Sequence, residues 1–305
     1  MVGSSILPSR TILQNLLCSL GLGKLRPMKK FCYADGRVME VMKARVAVND
    51  VAVLRGYGCF DFLKTVNGRP LMWREHWQRF GSSAKALGLK VPVGEGEALE
   101  IVSKLFKKNK ITKGEDASIR LVLTGGPTAD GVTLSQPQFF ILLEDIYKYP
   151  AKVFARGVKL ITHDYLRLVP GAKTTNYLAM MRLQKEKKKA GALEILFTDR
   201  GRVLECSTSN FFIIKNSKLI TAKEDVLGGT VRNKVIALAR QAGIEVEERE
   251  LKVEELKTAD EAFLTATNKD VTPVVQIDDL KIGTGKVGEL TKRVMGLYLD
   301  FLKNN

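Results

Sequence analysis

Histidine, tryptophan and cysteine are scarce in this chain. Its 305 residues hold two histidines, two tryptophans and four cysteines. Cys18, Cys32, Cys59 and Cys206 are scattered with no CxxC pair. Neither a disulfide framework nor a structural zinc site is therefore expected, and a reducing compartment fits best. His76 and His163 leave little for a histidine-ligated metal or a Ser-His-Asp triad. His76 falls in a segment that reads as a helix start, so packing is its expected task. Any acid–base group should then be of another residue type. Long apolar runs are also lacking: nothing approaches the roughly 20 residues that cross a bilayer, so no membrane partner is expected.

Acidic residues are absent before Asp35, whereas Arg10, Lys24, Arg26, Lys29 and Lys30 are basic. Residues 1–27 thus read as a basic extension. It is either an organelle transit peptide, placing the protein in a matrix, or the product of a start set upstream of Met28, leaving it cytoplasmic. Over the whole chain Lys and Arg outnumber Asp and Glu by 49 to 33, a formal net charge of +16. Such an excess attracts anions. The basic residues are spread, however, and the densest run, 185–189, ends an expected helix, where cations complement the helix dipole. With no helix-turn-helix, zinc-finger or basic-aromatic motif, small anions are the expected partners and nucleic acid is not.

With 45% hydrophobic residues the chain is long enough for two domains with real cores. The patterning predicts an α/β (α+β) protein, with one domain over 28–146, a linker at 147–153 around Pro150, and a second domain over 154–305. Strands are expected at 60–66, 118–123 and 138–143, with Asn67-Gly68 as a hairpin turn. Helices are expected at 75–87 and 96–108. In the second half, strands at 158–163, 194–198, 203–205, 210–215, 219–221, 245–248, 262–266 and 274–277 surround helices at 177–190, 231–242 and 287–302.

The chemistry concentrates in a few motifs. Pro170-Gly171-Ala172-Lys173-Thr174-Thr175-Asn176-Tyr177 puts a lysine on a turn entering a helix, and Leu204-Glu205-Cys206-Ser207 ends a strand with a glutamate beside small hydroxyl residues. A Schiff-base lysine and an acid facing a pyridinium nitrogen are what pyridoxal 5'-phosphate (PLP) chemistry requires of a protein. Taken alone, Lys173 would be one more solvated lysine. Gly228-Gly229-Thr230-Val231-Arg232 is a glycine turn opening a helix, which suits a phosphate and equally suits an ordinary N-cap at Thr230. Thr265-Ala266-Thr267-Asn268 ends an apolar strand with hydroxyls, and Arg79 offers a fixed cation or a plain surface arginine.

Taken in order from Met28 onward, these motifs resemble the fold-type IV (class IV) PLP-dependent aminotransferases. That group contains branched-chain aminotransferases, D-amino acid aminotransferases and aminodeoxychorismate lyases. The resemblance implies a two-domain, D-amino acid aminotransferase-like fold with its site between the domains, and a homodimer. It implies that Arg79 in Glu75-His76-Trp77-Gln78-Arg79 meets the PLP phosphate, together with Gly229, Thr230, Val231 and Thr267. Lys173 matches the Schiff-base lysine and proton shuttle, and Glu205 the acid at the ring nitrogen. Tyr177 echoes the tyrosine that follows the lysine, although the spacing here is one residue shorter.

Substrate residues are less sharply marked. Phe60, Arg120 and Asn268 fall where an aromatic wall and polar contacts to substrate are expected, and Arg55-Gly56-Tyr57-Gly58 resembles a stretch of the D-amino acid enzymes. The family's Phe-Glu-Gly-Ile-Arg reads Phe60-Asp61-Phe62-Leu63-Lys64 here, a departure. Arg55 and Arg120 are the expected carboxylate binders, each with a structural ion pair as its alternative. The expectation is transfer of an amino group between an amino acid of branched-chain type and a 2-oxo acid such as 2-oxoglutarate. A D-amino acid aminotransferase, an aminodeoxychorismate lyase and a basic binding protein without activity are the alternatives.

Overall fold

Three two-residue turns fix much of the strand pairing. Asn67-Gly68, Arg200-Gly201 and Asn216-Ser217 carry positive φ at both positions, which matches the right-handed twist of the strands they join. The computed structural model describes residues 28–34 and 36–305. The basic extension expected over 1–27, and Asp35 of the first turn, lie outside the described residues.

The first sheet contains β1 (Phe31–Ala34), β2 (Arg37–Glu40), β3 (Gly58–Val66), β4 (Arg69–Pro70), β5 (Ala117–Thr124) and β6 (Phe139–Asp145). Its order is β2-β1-β6-β5-β3-β4, antiparallel throughout. Helices α1 (Val51–Arg55), α2 (Trp73–Ala86) and α3 (Glu95–Lys108) accompany it. Leu63, Ile119, Leu121 and Ile141 from the sheet meet Phe80 and Ala84 of α2 and Leu105 of α3 in one core. The apolar residues of α2 and α3 fall on single stripes, which is why these two helices were legible. Helix α1 was not expected. Five residues are too few to show a period, and Asp50 starts it by accepting from Ala52 N at 2.7 Å.

Past Pro150, α4 (Ala151–Arg156) occupies the end of the segment expected to be an irregular linker. The second sheet then holds β7 (Val158–Asp164), β8 (Glu194–Asp199), β9 (Arg202–Cys206), β10 (Asn210–Lys215), β11 (Lys218–Thr221), β12 (Val246–Glu248), β13 (Leu251–Lys252), β14 (Glu261–Ala266), β15 (Asp270–Ile277) and β16 (Leu280–Lys281). Its order is β12-β11-β10-β14-β15-β7-β8-β9-β13, with β16 on β15. Strand β7 runs parallel to both β8 and β15, so this sheet is mixed. The helix expected over 177–190 is two helices, α5 (Leu178–Arg182) and α6 (Gln184–Lys189). They part at Leu183, which is buried with Ile195 and Phe197. Helices α7 (Thr230–Gln241) and α8 (Glu289–Lys303) cover one face of the sheet. There Phe212 and Phe263 stack 4.7 Å apart against Val235, Val294 and Tyr298. Among the described residues no helix is long and apolar enough to cross a membrane.

Phe263 is fully buried. Phe263→Ala should therefore destabilise the fold by about 3–5 kcal/mol, read as a lower urea midpoint. Val132→Ala, at a residue 67% exposed, should shift stability by less than about 0.5 kcal/mol. Equal midpoints for the two variants would contradict this placement of the core.

Candidate active site

Lys173 reaches its position because its turn is laid along the start of β3. Phe60 N donates to Lys173 O at 2.9 Å and Thr175 N to Gly58 O at 2.9 Å, while Lys173 N donates to Ser83 Oγ of α2 at 3.0 Å. A Cβ on Gly58 would crowd both neighbours of β3 here, standing 2.6 Å from Leu123 O of β5 and 3.3 Å from Thr175 Oγ1 of the turn. The hydrogen bonds of the turn bring the ammonium from the second half of the chain to the seam between the two sheets. Nζ lies 4.8 Å from the centre of the Phe60 ring, and Phe60 in turn meets Tyr177 at 5.6 Å. Burial, then the nearby Arg79 and Arg167 guanidinium groups, lower the Lys173 pKa to about 7, against the pull of Asp61 and Glu205.

Glu205 is buried near the end of β9. Its Oε1 accepts from Arg167 Nη2, and its Oε2 accepts from Asn210 Nδ2 at 3.1 Å and Leu227 N at 3.2 Å. Burial pushes its pKa up, while Arg167, the Leu227 N–H and Lys173 pull it down. Arg167 is itself oriented by Pro170 O at 2.8 Å.

A third cluster is organised by Asp61, a fully buried carboxylate in β3. Arg79 grips it in two-pronged fashion, with Nε and Nη2 each at 2.8 Å. His76 Nδ1 is 2.7 Å from the same carboxylate. Burial opposes the charge of Asp61, yet Arg79 and His76 hold it well below the usual carboxylate range. Burial lowers His76, so the neutral ring donates from Nδ1 to Asp61 and accepts at Nε2 from Thr230 Oγ1 at 3.1 Å. Thr230 is the first residue of α7, whose N-cap, Gly229, supplies no capping side chain. The N–H groups at that end are aimed at the pocket with a positive dipole behind them. A Cβ on Gly229 would stand 1.9 Å from Asn210 Oδ1. Two buried polar atoms in the same wall, Thr265 Oγ1 and Arg232 Nε, have no hydrogen-bond partner.

Of the residues expected from sequence, Arg79, Lys173, Tyr177, Glu205, Gly229, Thr230, Val231, Thr267 and Asn268 all line one pocket. Phe60 stands just behind Lys173. The two arginines expected at substrate carboxylates are placed elsewhere in the chain. Arg120 donates to Glu144 from Nε at 2.5 Å and Nη2 at 3.2 Å, because the two side chains stand on neighbouring strands β5 and β6. Arg55 is exposed and bonds the carbonyl of Leu54. Sequence reasoning missed Arg167, Asn210 and the Asp61 cluster. Only Asp61 carried a local signal, as a charge in the middle of an apolar strand.

Residues 58–277 match the Amino-transferase class IV family. A Methanocaldococcus jannaschii protein assigned as a branched-chain-amino-acid aminotransferase is 33% identical over 279 residues, covering 88% of this chain and 95% of the relative. A D-alanine aminotransferase of Bacillus licheniformis is 31% identical over 267 residues, covering 85% and 93%. Among solved structures, the T.th. branched-chain amino acid aminotransferase complexed with N-(5'-phosphopyridoxyl)-L-glutamate superposes with a TM-score of 0.82. It is 26% identical and covers 90% of this chain and 95% of that one. The Escherichia coli branched-chain enzyme gives 0.80 at 27% identity, covering 88% and 95%. The chain belongs to the class IV aminotransferases.

A lysine with a pKa near 7 is neutral at pH values where surface lysines stay charged. Its labelling by an amine-reactive reagent in cofactor-free protein should rise through pH about 7 and then level off. Exposed lysines should keep gaining reactivity toward pH ~10. Peptide mass spectrometry separates the sites. A Lys173 signal still climbing steeply above pH ~9 would show an ordinary lysine.

Proposed function

We propose that this aminotransferase uses PLP to move an amino group between an aliphatic, branched-chain-type amino acid and a 2-oxo acid such as 2-oxoglutarate. The observation that carries the reading is the convergence of Lys173, Glu205 and the uncapped start of α7 in one pocket. The residues present fit the cofactor: the unpartnered Thr265 and Arg232 atoms and the glycine-only approach at Gly229 leave donors facing a small anion. Bound PLP supplies an electron sink for charge developing at the substrate Cα.

The protein groups do the rest. Lys173 Nζ, neutral above about pH 7, would take the proton from the substrate Cα and hold it for redelivery. Glu205, held by Arg167 and Asn210, would place negative charge at the ring nitrogen. Arg79, held by Asp61, the first turn of α7 and the Thr267 hydroxyl, all in the pocket lining, would hold the phosphate. Tyr177, which lines the same pocket, would be the residue to meet the ring's phenolic oxygen. Phe60, Phe62 and Tyr177 put aromatic surface beside the reacting lysine, and Arg120 already spends its charge on Glu144. That favours an apolar substrate side chain and the names of the branched-chain relatives.

A second copy of the chain fits the exposed apolar residues near the lysine turn, Leu168 at 92%, Leu178 at 74% and Met181 at 63%. We infer a homodimer that covers them. The free buried thiols Cys32, Cys59 and Cys206 are consistent with a reducing compartment such as the cytoplasm.

Purified protein with PLP should be yellow, and borohydride should fix the pyridoxyl group to Lys173. An amino-donor panel should then rank L-leucine above D-alanine, D-glutamate and aminodeoxychorismate. A label on another lysine sinks the site, and a preference for D-alanine moves the protein to the D-amino acid branch. Glu205→Gln should keep PLP while slowing the half-reaction on the order of a hundredfold. A wild-type rate in single-turnover absorbance traces would remove Glu205 from the ring nitrogen.

A further inference from the structure

Thr267-Asn268-Lys269 is the turn between β14 and β15, and Thr267 and Asn268 line the active-site pocket. Behind it lies a second, open cleft, lined by Lys64, Asp145, Tyr147, Tyr149, Asn268 and Asp270. The turn is therefore a thin wall between two spaces, with Asn268 reaching both. The bonds within the turn, Lys269 N to Ala266 O at 3.1 Å and Thr272 Oγ1 to Lys269 O at 2.6 Å, do not reach across the seam to the first sheet.

Two adjacent residues of opposite charge hold the turn. Lys269, itself buried, places Nζ 2.7 Å from Glu194 Oε1 of β8 and 2.8 Å from Thr208 Oγ1. Glu194 also accepts from Ser207, Thr208 and Ser209, which line the pocket's floor. Burial works against the charge on Lys269, but Glu194 outweighs it and keeps the ammonium protonated. Asp270 reaches the other way. Its Oδ1 lies 2.5 Å from Lys64 Nζ, on β3 of the first sheet and two residues beyond Phe62. With Lys269 paired to β8 of the second sheet and Asp270 to β3 of the first, the dipeptide ties the turn to both sheets at once. Asp270 does this from a left-handed backbone conformation, φ 50°. The ion pair offsets that strain.

We propose that Lys64 and Asp270 are positioning residues: their ion pair across the seam holds the Thr267–Asn268 turn against the pocket and so sets the affinity for the amino acid substrate. The inference rests on the PLP aminotransferase reading given above. Neither side chain lines the pocket, so the effect travels through the turn.

Asp270→Asn is the cleanest variant, because asparagine tolerates the left-handed region and only the charge is lost. Lys64→Met removes the other partner, and Lys64→Arg keeps the cation. Hydrogen–deuterium exchange, with and without PLP, should show the 266–270 amides exchanging roughly tenfold faster in Asp270→Asn and Lys64→Met. The absorption spectrum should stay at the wild type's. KM for the amino donor should rise roughly tenfold with kcat within about threefold, since a misplaced turn weakens binding before it touches the proton transfer. Lys64→Arg should behave nearly as wild type. Unchanged exchange and KM in both charge-removing variants would overturn the clamp, as would a loss of kcat with KM unmoved. Wild-type protein that binds no PLP would instead overturn the functional reading, and the exchange data would still decide the clamp. A variant that fails to fold, seen as a lost thermal transition, leaves the decision with its partner residue.

Discussion

The buried carboxylate of Asp61 is the interaction on which the rest of the site depends. It sits in the middle of β3 with no exposure, where an unpaired charge could not persist. Arg79 from α2 neutralises it, Arg79 and His76 together orient it, and His76 passes the connection on to Thr230 at the start of α7. One anion thus fixes a helix packed on the first sheet to that sheet and links it to a helix packed on the second. Truncating one partner of such a buried pair typically costs about 3–5 kcal/mol, so the cluster is as much a part of the fold as of the site. Its second effect is electrostatic: Arg79 is pinned with its remaining donors toward the pocket.

The same field tunes the lysine. Lys173 lies among two guanidinium groups and two carboxylates, and neither set cancels the other. Desolvation takes the largest share, and Arg79 and Arg167 add to it, so the amine loses its proton at a pH where it can act as a base. Glu205 is balanced the other way, pushed up by burial and pulled down by Arg167. Around the pocket Arg79 is paired with Asp61, Arg167 with Glu205 and Arg232 with Glu248, so the positive end of the α7 dipole is what remains to suit a doubly charged phosphate.

What was legible in the sequence was what is locally encoded. Lys173, Glu205 and Gly229-Thr230 stand in short motifs whose residue types are required by chemistry, and α2, α3, α7 and α8 carry a clear helical period. The turns at Asn67-Gly68 and Asn216-Ser217 declare themselves through residues that accept positive φ. Partnerships across long sequence separations were not legible. Arg167 lies 38 positions from Glu205, and nothing around Leu166-Arg167-Leu168 marks it. Arg120 had the charge of a carboxylate binder, but the register of β5 and β6 gives that charge to Glu144. The parallel place of β7 between β15 and β8 is likewise a property of the sheet, not of any one strand.

The fate of Arg120 bears on how the proposed pocket treats side chains of different polarity. Its guanidinium lies 5.5 Å from the centre of the Phe60 ring and 4.9 Å from that of Phe62 while bonded to Glu144. The aromatic wall beside Lys173 is therefore backed by a cation that already has an anionic partner. An aliphatic side chain placed against Phe60 and Phe62 would leave the Arg120–Glu144 pair intact. An acidic side chain would have to draw Arg120 away from Glu144, a side chain just 5% exposed. Breaking a pair of that kind leaves a buried carboxylate behind, so the exchange yields little net attraction. On the proposed branched-chain reading, the β5–β6 register would favour apolar side chains, and an acidic 2-oxo acid would have to find its second cation outside this ion pair.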